Sequence, residues 1–137
     1  MFVDNKHQFF TNDKSFILTG NYAGYLTAFF NSKLFKFAFK DYFPELLGDT
    51  REIRKVFFET VTVKAYAGVD IFDHKVMVIE NNKSRKLSTV ALEKEIDNIL
   101  FKHYDLTNSE IEIIEASVST AGVSDKAINL ISVSVSS

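Results

Sequence analysis

The sequence predicts an α+β fold: a mostly antiparallel sheet of about four or five strands, packed on one main amphipathic helix at residues 88–104, with an aromatic-rich helical segment near the N-terminus. Three observations predict it. In STVALEKEIDNILFKHY, Leu92, Ile96, Ile99, Leu100 and His103 recur at the three- and four-residue intervals that line one face of a helix. Between Val56 and Val69, the apolar Val61, Val63, Ala65, Ala67 and Val69 alternate with Thr60, Thr62, Lys64 and Tyr66, the pattern of a strand with one face on a core. Near the C-terminus, Glu110 to Ser119 and Ile128 to Val135 form the clearest strand pair, each changing phase midway.

A chain of 137 residues reads as one domain, long enough for a core that buries roughly two-thirds of its unfolded surface. Apolar residues at 46% and charged residues at 25% are ordinary globular values. A formal net charge of −2 offers no global field to recruit nucleic acid or an anionic membrane. The chain has no cysteine, which excludes disulfides, thiolate nucleophiles and cysteine-ligated metal. MFVDNKHQFF lacks the apolar core of a signal peptide, and no apolar run approaches the roughly 20 residues that span a bilayer. A cytoplasmic location without membrane contact is the expectation. The marked bias is aromatic: 14 Phe and 5 Tyr, crowded before residue 60.

From the N-terminus, Met1 to Lys14 alternates weakly, as an arm or edge strand anchored by Phe9 and Phe10. Ser15 to Thr19 is a short apolar run ended by Gly20-Asn21, a pair suited to a turn. Tyr22, Tyr25, Leu26, Phe29 and Phe30 then have helical spacing, to about Ser32. From Lys33 to Lys40, Phe35, Phe37 and Phe39 alternate with Lys36, Ala38 and Lys40, which favours a strand; extending the helix through Leu34 and Phe37 is the competing reading. Pro44 to Leu47 reads as a short helical turn with Gly48 as its exit.

After the Val56 to Val69 strand, Asp70 to His74 turns the chain, Lys75 to Glu80 forms a second strand, and Asn81 to Ser84 leads to the main helix. Ser88 is its expected cap, Glu93 and Glu95 suit its positive end and Lys102 its negative end. Small Ala65 and Ala67 leave room for that helix above them. In the last pair, Ile111 and Ile113 give way to Ile114, Ala116 and Val118, as Ile128 and Leu130 give way to Ile131, Val133 and Val135. A one-residue slip flips a strand's faces, so the pair reads as an antiparallel hairpin with matched bulges, turning around Gly122 to Asp125.

No catalytic or cofactor motif stands out. Asp70, Asp73 and His74 supply oxygen and nitrogen donors for a divalent metal, but Asp is the commonest polar turn former and the spacing matches no ligand motif. His103 with Asp105 has the composition of a base with its orienting acid, whereas a helix C-terminus alone explains the histidine. Ser88, Ser109, Ser117 and Ser119 lack a G-x-S-x-G context, and His7 is isolated. Gly20, Gly24, Gly48, Gly68 and Gly122 form no phosphate loop. Lys33, Phe35, Lys36, Phe37, Phe39, Lys40 and Tyr42 interleave rings and cations, but in a strand they point opposite ways, whereas a single-strand binder needs both on one surface. No cofactor or metal is implied.

The functional expectation is a non-enzymatic interaction or assembly protein, a subunit of a homo-oligomer or of a viral or mobile-element complex. It would meet its protein partner through the aromatic N-terminal half and sheet edges, with Phe9, Phe10, Tyr22, Tyr25, Phe29 and Phe30 as contact residues. The alternative is a small-molecule-binding domain with an aromatic pocket between sheet and helix; the lesser alternative is single-stranded nucleic-acid binding through 33–42.

Overall fold

The computed structural model describes residues 18–40 and 59–118 in full. It describes residues 16–17 and 119–120, with the short strands Phe2–Asp4, Glu45–Leu46, Thr50–Arg51 and Ile131–Ser134, by backbone alone. Among the fully described residues the fold is helical, with five helices and no sheet: α1 (Ala23–Asn31), α2 (Lys33–Ala38), α3 (Asp70–Ser84), α4 (Val90–His103) and α5 (Asn108–Thr120). The predicted sheet packed on one helix is therefore corrected to a body of helices packed on helices.

The aromatic segment forms the centre of that body. Along α1, Ala23, Tyr25, Ala28, Phe29 and Phe30 are all buried, so the helix is apolar around most of its circumference and must be covered on several sides. It packs against α3 and α2, while α4 packs on α3 and α2, and α5 on α2. Phe72 and Val76 of α3, Ile96, Leu100 and Phe101 of α4, Leu34 and Phe35 of α2 and Ile114 of α5 complete the core. Gly24 sets the approach of α1 to α3, because a Cβ there would lie 2.8 Å from the Cα of Asp73.

The helix expected at 88–104 is found at Val90–His103, with Thr89 rather than Ser88 before its first turn. The helix from Tyr22 is found at Ala23–Asn31. Ser32 then breaks the chain with extended backbone, and its hydroxyl donates to Phe29 O at 2.6 Å and accepts from Phe35 N at 3.1 Å. One buried side chain thus ends α1 and starts α2. Lys33 to Lys40 is accordingly not a strand: Phe35 and Phe39, four apart, stack at 5.0 Å, and Lys40 Nζ lies 5.9 Å over the ring of Phe37.

Of the strand, turn and strand expected over Val56 to Glu80, residues 56–58 lie outside the described residues; the rest is an irregular run, 61–66, followed by α3. Val69, Phe72, Val76 and Ile79 are spaced three and four apart and pack into or against the core; this helical period sets the structure from Asp70 onward, where a turn and a second strand were expected. Asn81 to Ser84 forms the last turn of α3 rather than a lead-in. Ala65 and Ala67 face water, so they do not open a space beneath a helix.

The predicted C-terminal hairpin is overturned for the same reason. Glu110 to Ser119 lies within α5, and its apparent change of strand phase is the helical period of Ile111, Ile114 and Val118. Thr107 and Glu110 form a capping box: Glu110 Oε2 accepts from Thr107 N and Oγ1, each at 2.7 Å, and Thr107 Oγ1 accepts from Glu110 N at 3.4 Å. The Ile131–Ser134 backbone instead runs parallel to Phe2–Asp4 and Phe16–Leu18. Glu45–Leu46 pairs antiparallel with Thr50–Arg51 and is not a helical turn. Residues 121–130, with the turn expected there, lie outside the described residues.

Two helices end without glycine. Lys86 and Asp105 adopt left-handed φ of 58° and 56°, and the next amides close back, Leu87 N on Asn82 O at 2.8 Å and Leu106 N on Phe101 O at 3.0 Å. These six-to-one closures satisfy carbonyls that a helix end would otherwise leave open. The second places His103, Tyr104 and Asp105 around the C-terminal end of α4.

Candidate functional site

Polar and aromatic side chains converge where the 61–66 run crosses α1 and the end of α4. Tyr25 and Phe29 come from α1, Phe72 from α3, and His103 and Tyr104 from the end of α4. The crossing segment adds Lys64 and Tyr66. Tyr66 stacks on Tyr25 at 5.9 Å and meets Phe72 edge-on at 5.1 Å and His103 edge-on at 4.8 Å. Tyr25 lies 5.0 Å from Phe72, and Phe29 stacks on Tyr104 at 5.8 Å. Such offset and edge-on pairs add about 0.5–1.5 kcal/mol each beyond their burial.

Lys64 ties this cluster together. Its carbonyl accepts from Tyr25 Oη at 2.6 Å, its N–H donates to Tyr104 Oη at 2.9 Å, and His103 Nε2 lies 3.3 Å from the same carbonyl. Its ammonium donates to His103 O at 2.6 Å and to Asp105 Oδ2 at 3.0 Å. A cation on the last carbonyls of a helix meets the negative end of the macrodipole. Burial, with Tyr104 and Tyr66 beside it, pushes the Tyr25 phenol well above its ordinary range, so its proton stays on the bond to Lys64 O. The lysine that would have to be free to act as a nucleophile or base is engaged by two acceptors. The cluster is arranged to hold chain segments together.

A second polar site lies between α4 and α2. Asp97 is buried, and its Oδ1 accepts from Lys33 N at 2.9 Å. Desolvation raises its pKa although the Lys33 amide and the charges of Lys33 and Lys36 oppose the rise. Lys33 also reaches α5 through its ammonium, 3.1 Å from Glu115 Oε1. Between α3 and α4, Lys75 and Lys83 pair with Glu95 and Glu93 at 2.5 and 3.2 Å.

Of the six residues expected to contact a partner, Tyr25, Phe29 and Phe30 lie in the core and Tyr22 stands in water. Phe9 and Phe10 lie outside the described residues. Asp70, Asp73 and His74 fall in the first turns of α3, where the acids suit the positive helix end. Among the described residues no three His, Asp or Glu side chains gather as a metal site. His103 and Asp105 turn to different atoms of Lys64 instead of to each other. Ser88 and Ser109 are exposed, and Ser117 donates back to Ile114 O at 2.9 Å. Along Lys33–Lys40, which is helical and not a strand, Leu34 and Phe35 are buried and Phe37 and Phe39 partly so, with Lys40 over the Phe37 ring, so the opposite-face division expected of a strand does not hold. No described helix is long and apolar enough to cross a membrane.

Sequence reasoning missed Lys64, Tyr104 and Asp97 as the residues on which segments are fastened. Lys64 sits at an alternating position that reads as the wet face of a strand, and Asp97 at a helix position that periodicity assigns to solvent. No sequence signal marks those three; the T-x-x-E spacing of Thr107 and Glu110 is a missed signal for the start of α5 alone. No family model, no curated protein and no solved structure matches this chain, so its functional reading rests on its own residues.

Proposed function

We propose that the chain is a non-enzymatic interaction or assembly protein whose first partner is a second copy of itself. The observation that carries this reading is a pair of large apolar residues at the turn into α4: Leu87 and Val90, three apart, are 49% and 71% exposed. A short turn between two helices is ordinarily polar, with its apolar residues on the helix faces. Tyr22, Ile71, Met77 and Ile113 also stand in water. Each such side chain returned to an apolar contact contributes about 1.5–3 kcal/mol when fully covered. The polar side chains that do converge, at Lys64 and at Asp97, are occupied in fastening helices, which supports a role in contact over a role in catalysis.

Sedimentation of the full chain over a concentration series tests this. The wild type is expected above monomer mass and rising with concentration, and Leu87→Asp with Val90→Asp is expected at monomer mass with unchanged helical circular dichroism. A wild type that stays monomeric throughout the series, or a double variant that assembles like the wild type, removes the reading.

A further inference from the structure

We propose that residues 61–66 form a strap that opens and closes as a unit over the tyrosine-lined face of the helical body, with Lys64 as its latch. Among the described residues, the hydrogen bonds joining this run to the helices all pass through Lys64, from its N–H, its carbonyl and its ammonium. The rest of the strap is held by side-chain packing alone, chiefly Tyr66 on the rings of Tyr25, Phe72 and His103. Val61, Val63 and Tyr66 are partly buried and rest on the core, while Thr62, Lys64 and Ala65 face water. A segment with few buried side chains and exposed hydrogen bonds belongs to the low end of local stability.

The body beneath keeps its own contacts when the strap leaves. Tyr25 stays on Phe72, Phe29 on Tyr104 and on Phe35 at 5.6 Å, and the helix-to-helix ion pairs do not involve the strap. Of the groups that Lys64 releases, Asp105 is already exposed and His103 and Tyr104 are partly so, while Tyr25 is buried and depends on Tyr66 lifting with Lys64. On its C-terminal side the strap runs through Ala67 and Gly68, which precede α3; the Gly68 carbonyl accepts from Ile71 N at 3.3 Å and the Val69 carbonyl from Phe72 N at 2.9 Å. Gly68 also lets the ring of Tyr66 fold back over the chain, since a Cβ there would lie 3.1 Å from Tyr66 Cε1. This device goes beyond the assembly reading and stands or falls without it.

Trypsin reads the opening directly, because it must take the Lys64 side chain into its own pocket and cut the bond to Ala65, and cleavage tracks the open population when reclosing is fast. Full-length protein is digested under native conditions and products are followed by mass. Cleavage after Lys64 is expected to be faster than cleavage after Lys94, an exposed lysine within α4, and slower than after Lys64 in the urea-unfolded chain. Tyr104→Phe keeps the ring and removes the oxygen that the Lys64 amide bonds. It is expected to raise cleavage after Lys64 about fivefold, the usual worth of one such bond, with the Lys94 rate unchanged. Equal acceleration at both lysines, or no acceleration at Lys64, overturns the proposal. If the variant does not fold, amide exchange on the wild type decides: a Lys64 amide as protected as those of Leu100 and Phe101 overturns it, and a separately faster one supports it.

Discussion

Asp97 illustrates how one side chain sets a balance between charge and burial. Its carboxylate satisfies the Lys33 amide at the start of α2, yet burial raises its pKa. The native state therefore holds the Asp97 proton to higher pH than the unfolded chain, whose Asp titrates near about 3.9. The contribution is complete below that value and is lost as pH rises through the raised native one. Asp97→Asn keeps an acceptor for the amide and removes the ionisation. Urea unfolding is expected to find it gaining on the wild type between pH 4 and pH 7. Asp97→Ala leaves a buried N–H without its partner and is expected to lose about 1–3 kcal/mol. Glu93 carries the opposite sign. Burial works against it, but the Thr89 hydroxyl and Lys83 hold it below the ordinary range, so its contribution is lost on acidification.

At the scale of elements, α5 shows how a helix can pass for a strand. Its residues Ile111, Ile113, Ile114 and Val118 are β-branched, and a change of phase is what a helical stripe looks like when it is counted in twos. The two environments separate by mutation. Ile114 is 3% exposed and Ile113 is 57% exposed, so Ile114→Ala is expected to cost about 2–5 kcal/mol and Ile113→Ala no more than about 0.5 kcal/mol by chemical unfolding. Gly24 gives a second test, at the crossing of α1 and α3. Alanine would improve helix propensity by about 1 kcal/mol, but its Cβ would press on Asp73, backbone included. Overpacking costs about 1–3 kcal/mol, and a net loss in melting temperature is expected. The helices at Ala23–Asn31 and Val90–His103 were legible because their stripes are long and their competing strand patterns poor. Residues 33–38, 70–84 and 108–120 were not, because rings and β-branched residues favour strands locally while burial against α1 and α4 decides the outcome. The Lys64 and Asp97 sites were beyond periodicity, since each joins residues more than thirty positions apart, as Tyr25 and Lys64 show with a separation of 39.

For the molecule as a whole, the aromatic bias has a structural use within the chain itself. Rings from α1, α2, α3, the strap and the end of α4 form a connected set around Tyr25, Phe29 and Phe35, so most described rings are consumed as core. The large apolar residues left in water are mostly aliphatic, Leu87, Val90 and Met77 among them. The same arrangement has an optical consequence. The chain has five tyrosines and no tryptophan, so its ultraviolet emission is a tyrosine signal that no brighter fluorophore masks. Tyr25, Tyr66 and Tyr104 share one enclosure, and Tyr22 projects outward. A change of spectrum with helical ellipticity held constant would register movement at that enclosure without any attached dye.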